Sequence, residues 1–358
     1  MNHFSRLLID WQMQHGRHDL PWQGGDAYAV WVSEIMLQQT QVVTVIPYFQ
    51  RFMASFPTVA LLAAASEEQV LTHWSGLGYY ARGRNLHRAA RLIVENYHGE
   101  FPQQFDQLLA LPGIGRSTAA AICALAFHQR HAILDGNVKR VLARHGAIAG
   151  WTGDKKIEAQ LWQLAEQLLP ADDEVKSGSA IAIYTQALMD MGATICTRSQ
   201  PKCDVCPVVT SCLALSTQSV KQLPTPRPRK TIPERSAVLL LLMVSDEILL
   251  EKRPPIGIWG GLWSLPQFDD ELSARAHCAT LLAADSANRQ SSAIEALPPF
   301  VHVFTHFKLH INPWLIQLQR KPKLAAEPGT IWLIVDEALN AAIPKPVRTL
   351  LESLTTKN

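Results

Sequence analysis

The chain has 358 residues, of which 47% are hydrophobic and 18% charged, so it can build hydrophobic cores and is not an intrinsically disordered chain. Lysine and arginine number 33 against 31 aspartates and glutamates, and the net charge of +2 neither requires nor excludes a nucleic-acid partner. The longest apolar stretch, residues 119–127, is too short to span a bilayer, and we expect no secretory signal at the N-terminus.

Residues 1–213 are predicted to be all-helical, because apolar side chains recur there at helical spacing and no stretch shows sustained alternation. The predicted helices include residues 86–97, 105–110, 117–127, 138–145 and 157–169. Residues 214–233 are rich in proline and in basic side chains, which predicts a semi-rigid basic linker.

A period of two begins after the linker. Strands are predicted over residues 237–244 and 248–252, with a tight turn near Ser245 and Asp246, and a helix over 272–284. Between residues 301 and 311, mostly apolar odd positions alternate with even positions that are polar except for Phe304, which we therefore expect on the solvated face. Residues 234–358 are predicted to form a smaller α+β domain.

Four cysteines stand within a short segment, with the spacing C-x6-C-x2-C-x5-C at Cys196, Cys203, Cys206 and Cys212. A disulfide pair is disfavoured because we expect an intracellular protein. Four thiolates can hold a tetrahedral zinc ion, although zinc sites usually come as two short cysteine pairs, or an iron–sulfur cluster. The spacing leaves these two alternatives open.

The segment Leu111-Pro-Gly-Ile-Gly115 separates two predicted helices. Glycine permits a tight turn, and the N–H groups that begin the second helix can hold a phosphate without reading sequence. A plain connection between two helices is an equal alternative for this segment taken alone.

Two carboxyl groups stand out for their surroundings. Glu34 is the only charged residue between Asp26 and Arg51, so a poorly solvated position is expected to raise its pKa and suit it to general-acid chemistry. The alternative is a glutamate at a helix edge that faces water. Asp135 precedes the helix at 138–145 as an ordinary N-cap residue, or as an anion fixed there to stabilise a developing cation. One protonated and one ionised acid is the arrangement that cleavage of a glycosidic bond requires.

Five motifs occur in one order: Trp31-Val-Ser-Glu-Ile-Met-Leu-Gln-Gln-Thr40, Gly76-Leu-Gly-Tyr-Tyr-Ala-Arg82, Leu111-Pro-Gly-Ile-Gly-Arg-Ser117, Ile133-Leu-Asp-Gly-Asn-Val-Lys-Arg-Val141 and the cysteine loop. Together they resemble the adenine DNA glycosylases of the endonuclease III-like helix-hairpin-helix superfamily. The resemblance covers essentially the whole chain.

The resemblance implies a role for each matching residue. Glu34 matches the acid that protonates adenine at N7 and then activates a water, Asp135 the carboxylate that stabilises the sugar cation, and Asn137 a residue that positions the water. Gly113 and Gly115 lie in a hairpin that grips a DNA phosphate. The four cysteines would hold a [4Fe–4S] cluster.

Further matching positions concern the flipped base and the duplex. Trp22, Leu37 and Gln186 fall where the family lines its adenine pocket, and Gln39 and Tyr79 fall where it wedges into the duplex, although core packing is an alternative for Tyr79. The remaining positions in the predicted DNA-binding set are Gln38 and Ser117. Relatives that also cut the strand carry a lysine in place of Ser117, and a serine cannot form a Schiff base.

The C-terminal region resembles a Nudix-like domain through Gly260-Gly-Leu-Trp-Ser-Leu-Pro-Gln-Phe268. Its next residues, Asp269-Asp-Glu-Leu-Ser-Ala-Arg275, lack the R-E-x-x-E-E core that binds metal in the hydrolases, so pyrophosphate hydrolysis is not expected. In the family this domain recognises 8-oxoguanine through a Phe-Ser-His motif, which Phe304, Thr305 and His306 match with a threonine in place of the serine.

The predicted protein is therefore a monofunctional DNA glycosylase of base-excision repair. It is expected to act as a cytoplasmic, nucleoid-associated monomer, without a membrane, on double-stranded DNA containing A:8-oxoguanine or A:G, and contacts with other repair proteins are left open. The alternatives are a lesion-binding protein without activity, a Nudix-type nucleotide hydrolase and an endonuclease III-like lyase.

Overall fold

The structure is a computed structural model that describes residues 3–171, 180–228, 231–283, 288, 293–322 and 329–355. It divides into two compact units: the helical unit, Met1–Ala64 with Asn85–Arg229, and the sheet unit, Ala65–Arg84 with Lys230–Asn358. Residues 65–84 thus group with the C-terminal sheet. The domain boundaries predicted above follow chain order and stay a prediction. No helix among the described residues is long and apolar enough to cross a membrane.

The described residues contain these helices in chain order: α1 (His3–His15), α2 (Ala27–Leu37), α3 (Val42–Ser55), α4 (Val59–Ala64), α5 (Glu67–Trp74), α6 (Ala81–Tyr97), α7 (Phe105–Leu109), α8 (Arg116–Phe127), α9 (Gly136–His145), α10 (Lys155–Gln167), α11 (Ala180–Thr194), α12 (Leu213–Ser216), α13 (Glu271–Ala283), α14 (Val335–Asn340) and α15 (Lys345–Thr355). The strands are β1 (Glu234–Val244), β2 (Glu247–Lys252), β3 (Trp263–Ser264), β4 (Gln267–Phe268), β5 (Ile294–Ala296), β6 (Phe300–Val303), β7 (Lys308–Leu318) and β8 (Thr330–Ile334). The fold class predicted from the sequence is confirmed.

The helical unit is built around α2 and α8. Nine of the eleven residues of α2 are buried, and the small side chains of the alanine-rich α8 let it pack closely against α2. Together with α1, α9, α10 and α11, α8 forms a continuous apolar core. Because nine of the eleven residues of α2 are buried, any polar side chain of this helix has few directions in which to reach water.

The turn between α7 and α8 is a tight hairpin. Gly113 has φ +81°, and a side chain there would place its Cβ 2.9 Å from Cβ of Asn85, so the position requires glycine. Gly115 is the N-cap of α8 and supplies no side-chain capping bond. The first N–H groups of α8 are therefore not capped by a side chain of the N-cap residue.

The sheet unit is an eight-stranded sheet with the main order β3-β2-β1-β7-β5, in which β4 also pairs with β1, β6 with β7 and β8 with β2. Only β1 and β7 pair in parallel among the described strands. The run Ala237–Leu242 in β1 is buried on both faces, with odd positions packed towards α14 and α15 and even positions towards α13. A central strand covered on both sides explains this continuous apolar run.

One expectation for the sheet is wrong. The alternation at residues 301–311 is not a single strand, because β6 ends at Val303 and the chain turns before β7 begins at Lys308, with the Phe304 N–H donating to the Phe307 carbonyl at 2.9 Å. Val303 is 63% exposed, while Phe304 is half-buried against Phe307 instead of lying on a solvated strand face. The tip contains no glycine, proline, asparagine or aspartate that would have marked the turn in the sequence.

Candidate active site

A cavity of about 980 Å³ opens in the helical unit between α2, α8, α9 and α11. It is lined by nine of the residues predicted to act in catalysis or binding, namely Trp22, Glu34, Leu37, Gln38, Gln39, Ser117, Asp135, Asn137 and Gln186. Four elements that are distant in sequence thus bring these side chains to one place. Gly113 and Gly115 lie in the α7–α8 hairpin, and Tyr79, Phe304, Thr305 and His306 belong to the sheet unit.

Glu34 is the only charged residue of α2, a helix whose start is fixed by the Asp26 side chain, which accepts the Ala29 N–H at 2.9 Å. Glu34 reaches the cavity wall, but protein surrounds it on most sides. Burial and, to a smaller extent, the charge of Asp135 raise the pKa of Glu34 from its ordinary value of 4.5 to about 8. The carboxyl therefore keeps its proton at neutral pH, in the direction predicted from the sequence.

Asp135 is the N-cap of α9, and its Oδ1 accepts the Val138 N–H at 2.7 Å. Although its side chain is open to the cavity, burial raises the pKa of Asp135, and the backbone N–H groups of Val138 and Asn137 together with the charges of Arg140 and Lys139 oppose that rise. The position of Asp135 at a helix N-terminus agrees with the prediction from the sequence, whereas its raised pKa was not predicted. The two carboxyls still differ, because the anion of Asp135 has stabilising partners and that of Glu34 has none among the causes of its shift.

Arg140 holds Asn137 in place beside the two carboxyls. The Arg140 guanidinium donates to Oδ1 of Asn137 at 2.9 Å and also to the backbone carbonyls of Gly192 and Cys196. Since the Asn137 carbonyl oxygen is engaged by Arg140, its amide N–H groups are the donors directed elsewhere. Arg140 thus ties the start of α9 to the end of α11 and to the cysteine loop.

Asp190 is the residue of this site that the sequence analysis missed. It is 1% exposed and accepts hydrogen bonds from Gln12 at 3.0 Å, from Gln186 at 2.8 Å and from the backbone and guanidinium of Arg17. Arg17 and Gln186 both line the cavity, so one buried carboxylate orients two cavity side chains. The available signal was an aspartate inside the apolar run of α11, which is rarely buried without partners.

The remaining cavity residues have more local roles. Trp22 is buried against Phe49 in an edge-to-face contact at 5.4 Å, and the Gln38 amide lies 3.4 Å from both the Gly113 carbonyl and Thr118 Oγ1. The Ser117 hydroxyl accepts the Leu134 N–H at 3.0 Å. Ser117 therefore holds the backbone just before Asp135. Its side chain is a hydroxyl, so this position provides no amine nucleophile in the cavity.

Two exposed residues from separate units share an unusual backbone conformation. Gln39 has φ +60° and Tyr79 has φ +50°, both in the left-handed region that long side chains adopt at a cost of about 1–3 kcal/mol. The ring of Tyr79 is 43% exposed, so it does not belong to the core. Strained, exposed side chains of this kind are typical of contact positions.

Cys196, Cys203, Cys206 and Cys212 lie apart from this site and line one small apolar cavity with Arg144. None of the six cysteines, all in described parts of the chain, forms a disulfide. Burial is the largest cause that raises the pKa of Cys206 to about 11; the other cysteines of the loop contribute, and a hydrogen bond from the Val208 backbone opposes the rise. Four thiolates in this cavity need a bound cationic group, which removes the cost of their mutual repulsion.

In the sheet unit, Thr305 and His306 are exposed at the β6–β7 turn, with Thr305 Oγ1 and His306 Nδ1 3.5 Å apart. Aromatic rings support the turn from below: Phe304 stacks on Phe307 with ring centroids 4.5 Å apart and lies 5.8 Å from Trp259. Two polar groups are therefore presented on an apolar platform.

Two segments of the chain match known families. Residues 32–167 match HhH-GPD superfamily base excision DNA repair proteins, and residues 237–353 match the NUDIX domain. The chain is also similar to a solved thermostable thymine-DNA glycosylase, with a TM-score of 0.51 and 26% identity, covering 60% of this chain and 95% of that chain. Fold and site define a base-excision DNA glycosylase that carries a Nudix-like domain.

Relatives that are similar over nearly the whole chain show which kind of DNA glycosylase this is. An adenine DNA glycosylase of Buchnera aphidicola subsp. Acyrthosiphon pisum is 38% identical over 98% of this chain and 97% of its own length. A human adenine DNA glycosylase is 35% identical over 95% of this chain and 72% of its own length. The chain belongs to the adenine DNA glycosylase family and is a DNA N-glycosylase that acts on adenine.

Replacing Glu34 by glutamine is expected to stabilise the protein at neutral pH. Below pH 4.5 the carboxyl is protonated in both the folded and the unfolded chain, so it makes no difference to stability. Between about pH 4.5 and 8 only the unfolded chain releases the proton, so the wild type loses about 1.4 kcal/mol per pH unit relative to the variant. Thermal unfolding followed from pH 4 to 9 should give a free-energy gain of up to about 3 kcal/mol at pH 7.

The matched control is Glu95→Gln on the exposed face of α6, which is expected to change stability by less than about 0.5 kcal/mol at every pH. A Glu34→Gln variant whose stability tracks that of the wild type across this range would show that Glu34 is solvated.

Replacing Asp190 by asparagine is expected to destabilise the protein by about 3 kcal/mol, because the Arg17 guanidinium loses its buried counter-charge. The double variant Asp190→Asn/Arg17→Gln should recover part of this loss, since it leaves no unpaired charge. Urea unfolding of the four proteins measures the coupling. Strictly additive effects would mean that the two side chains do not act as a pair.

Proposed function

We propose that this glycosylase removes adenine mispaired with 8-oxoguanine or guanine in double-stranded DNA and does so by hydrolysis alone, leaving an abasic site. One observation carries the proposal: Glu34 and Asp135 face one cavity, burial raises the pKa of both, and only Asp135 has backbone N–H groups and cationic neighbours that favour its anion. A carboxyl that keeps its proton beside one that is stabilised as an anion is the pair that glycosidic cleavage uses.

In the first step Glu34 donates its proton to N7 of the flipped adenine. The bond between N9 and C1′ then breaks, and its electron pair stays with the base, which leaves as neutral adenine because it has already been protonated. The sugar becomes an oxocarbenium-like cation. Asp135, fixed at the start of α9, stabilises that positive charge through its carboxylate.

In the second step the Glu34 carboxylate takes a proton from a water as the water oxygen bonds to C1′. The amide N–H groups of Asn137, directed by the Arg140 contact to its carbonyl oxygen, are placed to orient this water. Glu34 ends with its proton restored, and the products are adenine and an abasic sugar that carries a hydroxyl at C1′. The same residue is acid and then base, as in other glycosidic hydrolyses.

The polarity of Gln186 accounts for recognition of adenine. Asp190 can only accept hydrogen bonds, so it fixes the amide N–H group of Gln186 and leaves the carbonyl oxygen for a donor in the cavity. The exocyclic amine of adenine is such a donor, whereas guanine has a carbonyl at that position. Trp22 and Leu37 supply apolar walls against which the base packs.

Duplex DNA is the proposed partner of both units. The α7–α8 hairpin, with Gly113 and Gly115, offers helix N–H groups that no N-cap side chain occupies to a backbone phosphate. The strained, exposed Gln39 and Tyr79 are suited to enter the duplex as the adenine leaves it. We expect a cytoplasmic, nucleoid-associated monomer.

Recognition of the lesion is assigned to the β6–β7 turn. An 8-oxoguanine has an N–H donor at N7, where guanine has an acceptor, and the Thr305 hydroxyl can accept a hydrogen bond from that donor. The contacts of Phe304 with Phe307 and Trp259 support the turn that carries Thr305. The threonine methyl group makes this contact more crowded than the serine of the family motif.

Ser117 supports hydrolysis without strand cleavage. Its hydroxyl is held by the Leu134 N–H, and no Schiff base can form at an oxygen. Strand scission through a covalent imine therefore has no nucleophile at this position.

The four cysteines are proposed to hold a [4Fe–4S] cluster. They line one small cavity, and four cysteine thiolates are the ligand set that such a cluster requires. The buried Arg144, which lies 3.4 Å from Cys196 Sγ, supplies charge and a hydrogen bond to the thiolates.

Single-turnover assays on A:8-oxoguanine and A:G duplexes test the activity, with strand breakage scored separately. The wild type should release adenine from both without breaking the strand, and its rate should fall above about pH 8 as Glu34 loses its proton. Glu34→Gln and Asp135→Asn should each slow release by about 10²- to 10⁴-fold with binding retained. Glu95→Gln serves as the control.

Adenine release at the wild-type rate by Asp135→Asn would reduce Asp135 to a helix cap. Absence of release by the wild type would favour a lesion-binding protein, and a covalent adduct trapped by borohydride would favour a lyase.

The cluster has its own test, independent of activity. The purified protein should be brown and absorb near about 400 nm, and Cys203→Ser should lose this absorption while Cys123→Ser, a buried cysteine outside the loop, retains it. A colourless protein that contains one zinc would refute the assignment.

A further inference from the structure

Residues 65–84, which carry Tyr79, pack on the sheet although more than 140 residues separate them from it in sequence. Leu71 of α5 is 1% exposed and belongs to the same apolar core as Leu239 and Trp259. Gly261 has φ +74°, and a Cβ there would lie 3.2 Å from Glu67 Oε1 and 3.5 Å from Leu71 Cδ1, so α5 approaches this glycine closely. Gly261 therefore leaves the space into which α5 packs.

Polar contacts fasten both ends of this segment. At its start, Glu68 pairs with Lys252 at 3.3 Å and accepts the Trp263 indole N–H. At its end, the Arg84 guanidinium donates to the Gly260 carbonyl.

The middle of the segment is fastened as well. Ser75 Oγ and the Tyr80 hydroxyl donate to the Ile343 carbonyl at 3.2 and 3.4 Å, and Arg348 donates to Ser75 Oγ at 3.2 Å. These contacts lie on both sides of Tyr79 in the sequence.

The loop that presents Tyr79 is itself held rigidly. The Trp74 indole N–H donates to the Gly78 carbonyl at 3.2 Å, and the buried Arg82 donates to the Gly78 and Leu77 carbonyls. The Arg82 guanidinium also lies 5.5 Å from the rings of both Trp74 and Tyr79. The direction of the Tyr79 ring is therefore fixed relative to the rest of residues 65–84.

A short path of contacts joins this segment to the β6–β7 turn. Trp259, with φ +58°, lies 5.8 Å from Phe304 by ring centroids, and its neighbour Gly260 accepts the hydrogen bond from Arg84. A displacement of Phe304 would therefore move Trp259. Because Gly260 is the next residue, it would also move the carbonyl that accepts the hydrogen bond from Arg84.

We propose that residues 65–84 act as a coupling segment, which binds Tyr79 rigidly to the unit that reads the base opposite adenine. The inference rests on the proposed function, in which Tyr79 enters the duplex and the β6–β7 turn recognises 8-oxoguanine. Because the two contact points belong to one body, engagement of the lesion by the turn sets the depth and angle of Tyr79. The A:8-oxoguanine and A:G duplexes then differ in how well Tyr79 enters them, and the chemical step at Glu34 is the same for both.

The double variant Glu68→Ala/Arg348→Met tests this coupling, because it removes two anchors and touches no residue assigned to catalysis or DNA contact. Single-turnover rates on A:8-oxoguanine and A:G duplexes give the preference for the lesion as a ratio. We expect the ratio to fall at least about fivefold, with the A:G rate changed less than about twofold. Amide exchange at residues 71–82 should become faster.

The matched control is Glu247→Ala/Lys321→Met, which breaks a 2.7 Å ion pair of the sheet unit away from the coupling segment and should leave the ratio and the exchange unchanged. A ratio that stays at the wild-type value although exchange has become faster overturns the coupling alone. Unchanged exchange also overturns it, because these contacts would then not hold the segment. If the wild type itself shows no preference for the lesion, the proposed lesion recognition fails and the coupling with it.

If the double variant folds poorly, the single variant Glu68→Ala serves the same purpose. It removes the Lys252 pair and the Trp263 hydrogen bond and leaves Arg348 on Ser75. A smaller loss of preference in the same direction is then expected, and no loss overturns the coupling.

Discussion

The site depends on one constraint, the desolvation of a carboxyl on a helix that has almost no exposed face. Nine of the eleven residues of α2 are buried, and Glu34 is its only charged residue. The free-energy cost of placing an ionisable group there is what keeps the group protonated at neutral pH. Stability and the proposed reactivity are therefore linked, since the same burial that weakens the fold keeps on Glu34 the proton that the proposed mechanism transfers.

The second carboxyl shows how a nearby position can be given a different electrostatic character. Asp135 experiences burial too, but it stands at a helix N-terminus with Arg140 and Lys139 close by. Two charged residues organise the surroundings: the buried Asp190 orients Arg17 and Gln186, and the half-buried Arg140 ties Asn137 to the cysteine loop. Each of these residues earns its place through several hydrogen bonds, which offsets the cost of burying a charge.

The sheet unit is not continuous in sequence. A segment within the helical part of the sequence packs on a sheet formed by the last third of the chain. Its anchors lie on loops, Gly260 and Ile343, where backbone carbonyls are available because no strand partner uses them. Trp259, the neighbour of Gly260, also lies against Phe304 with ring centroids 5.8 Å apart.

Several features of this protein follow from local or periodic patterns of residues and are therefore visible in the amino-acid sequence. Helical spacing placed α6, α8, α9 and α10 within a few residues of their observed bounds, the buried run of β1 was visible as apolar residues, and the isolation of Glu34 among uncharged neighbours predicted its raised pKa. The four cysteines were recognisable as one site by their spacing.

Other features come from contacts between residues far apart in the chain, which no local pattern encodes. They are the raised pKa of Asp135, the cluster around Asp190 and the packing of residues 65–84 on the sheet. The turn at Phe304 was missed for a related reason, since stacking of two aromatic rings holds it instead of turn-forming residues. The local sequence determines which conformations a segment can adopt, and packing against residues that are distant in the chain determines which of them it adopts.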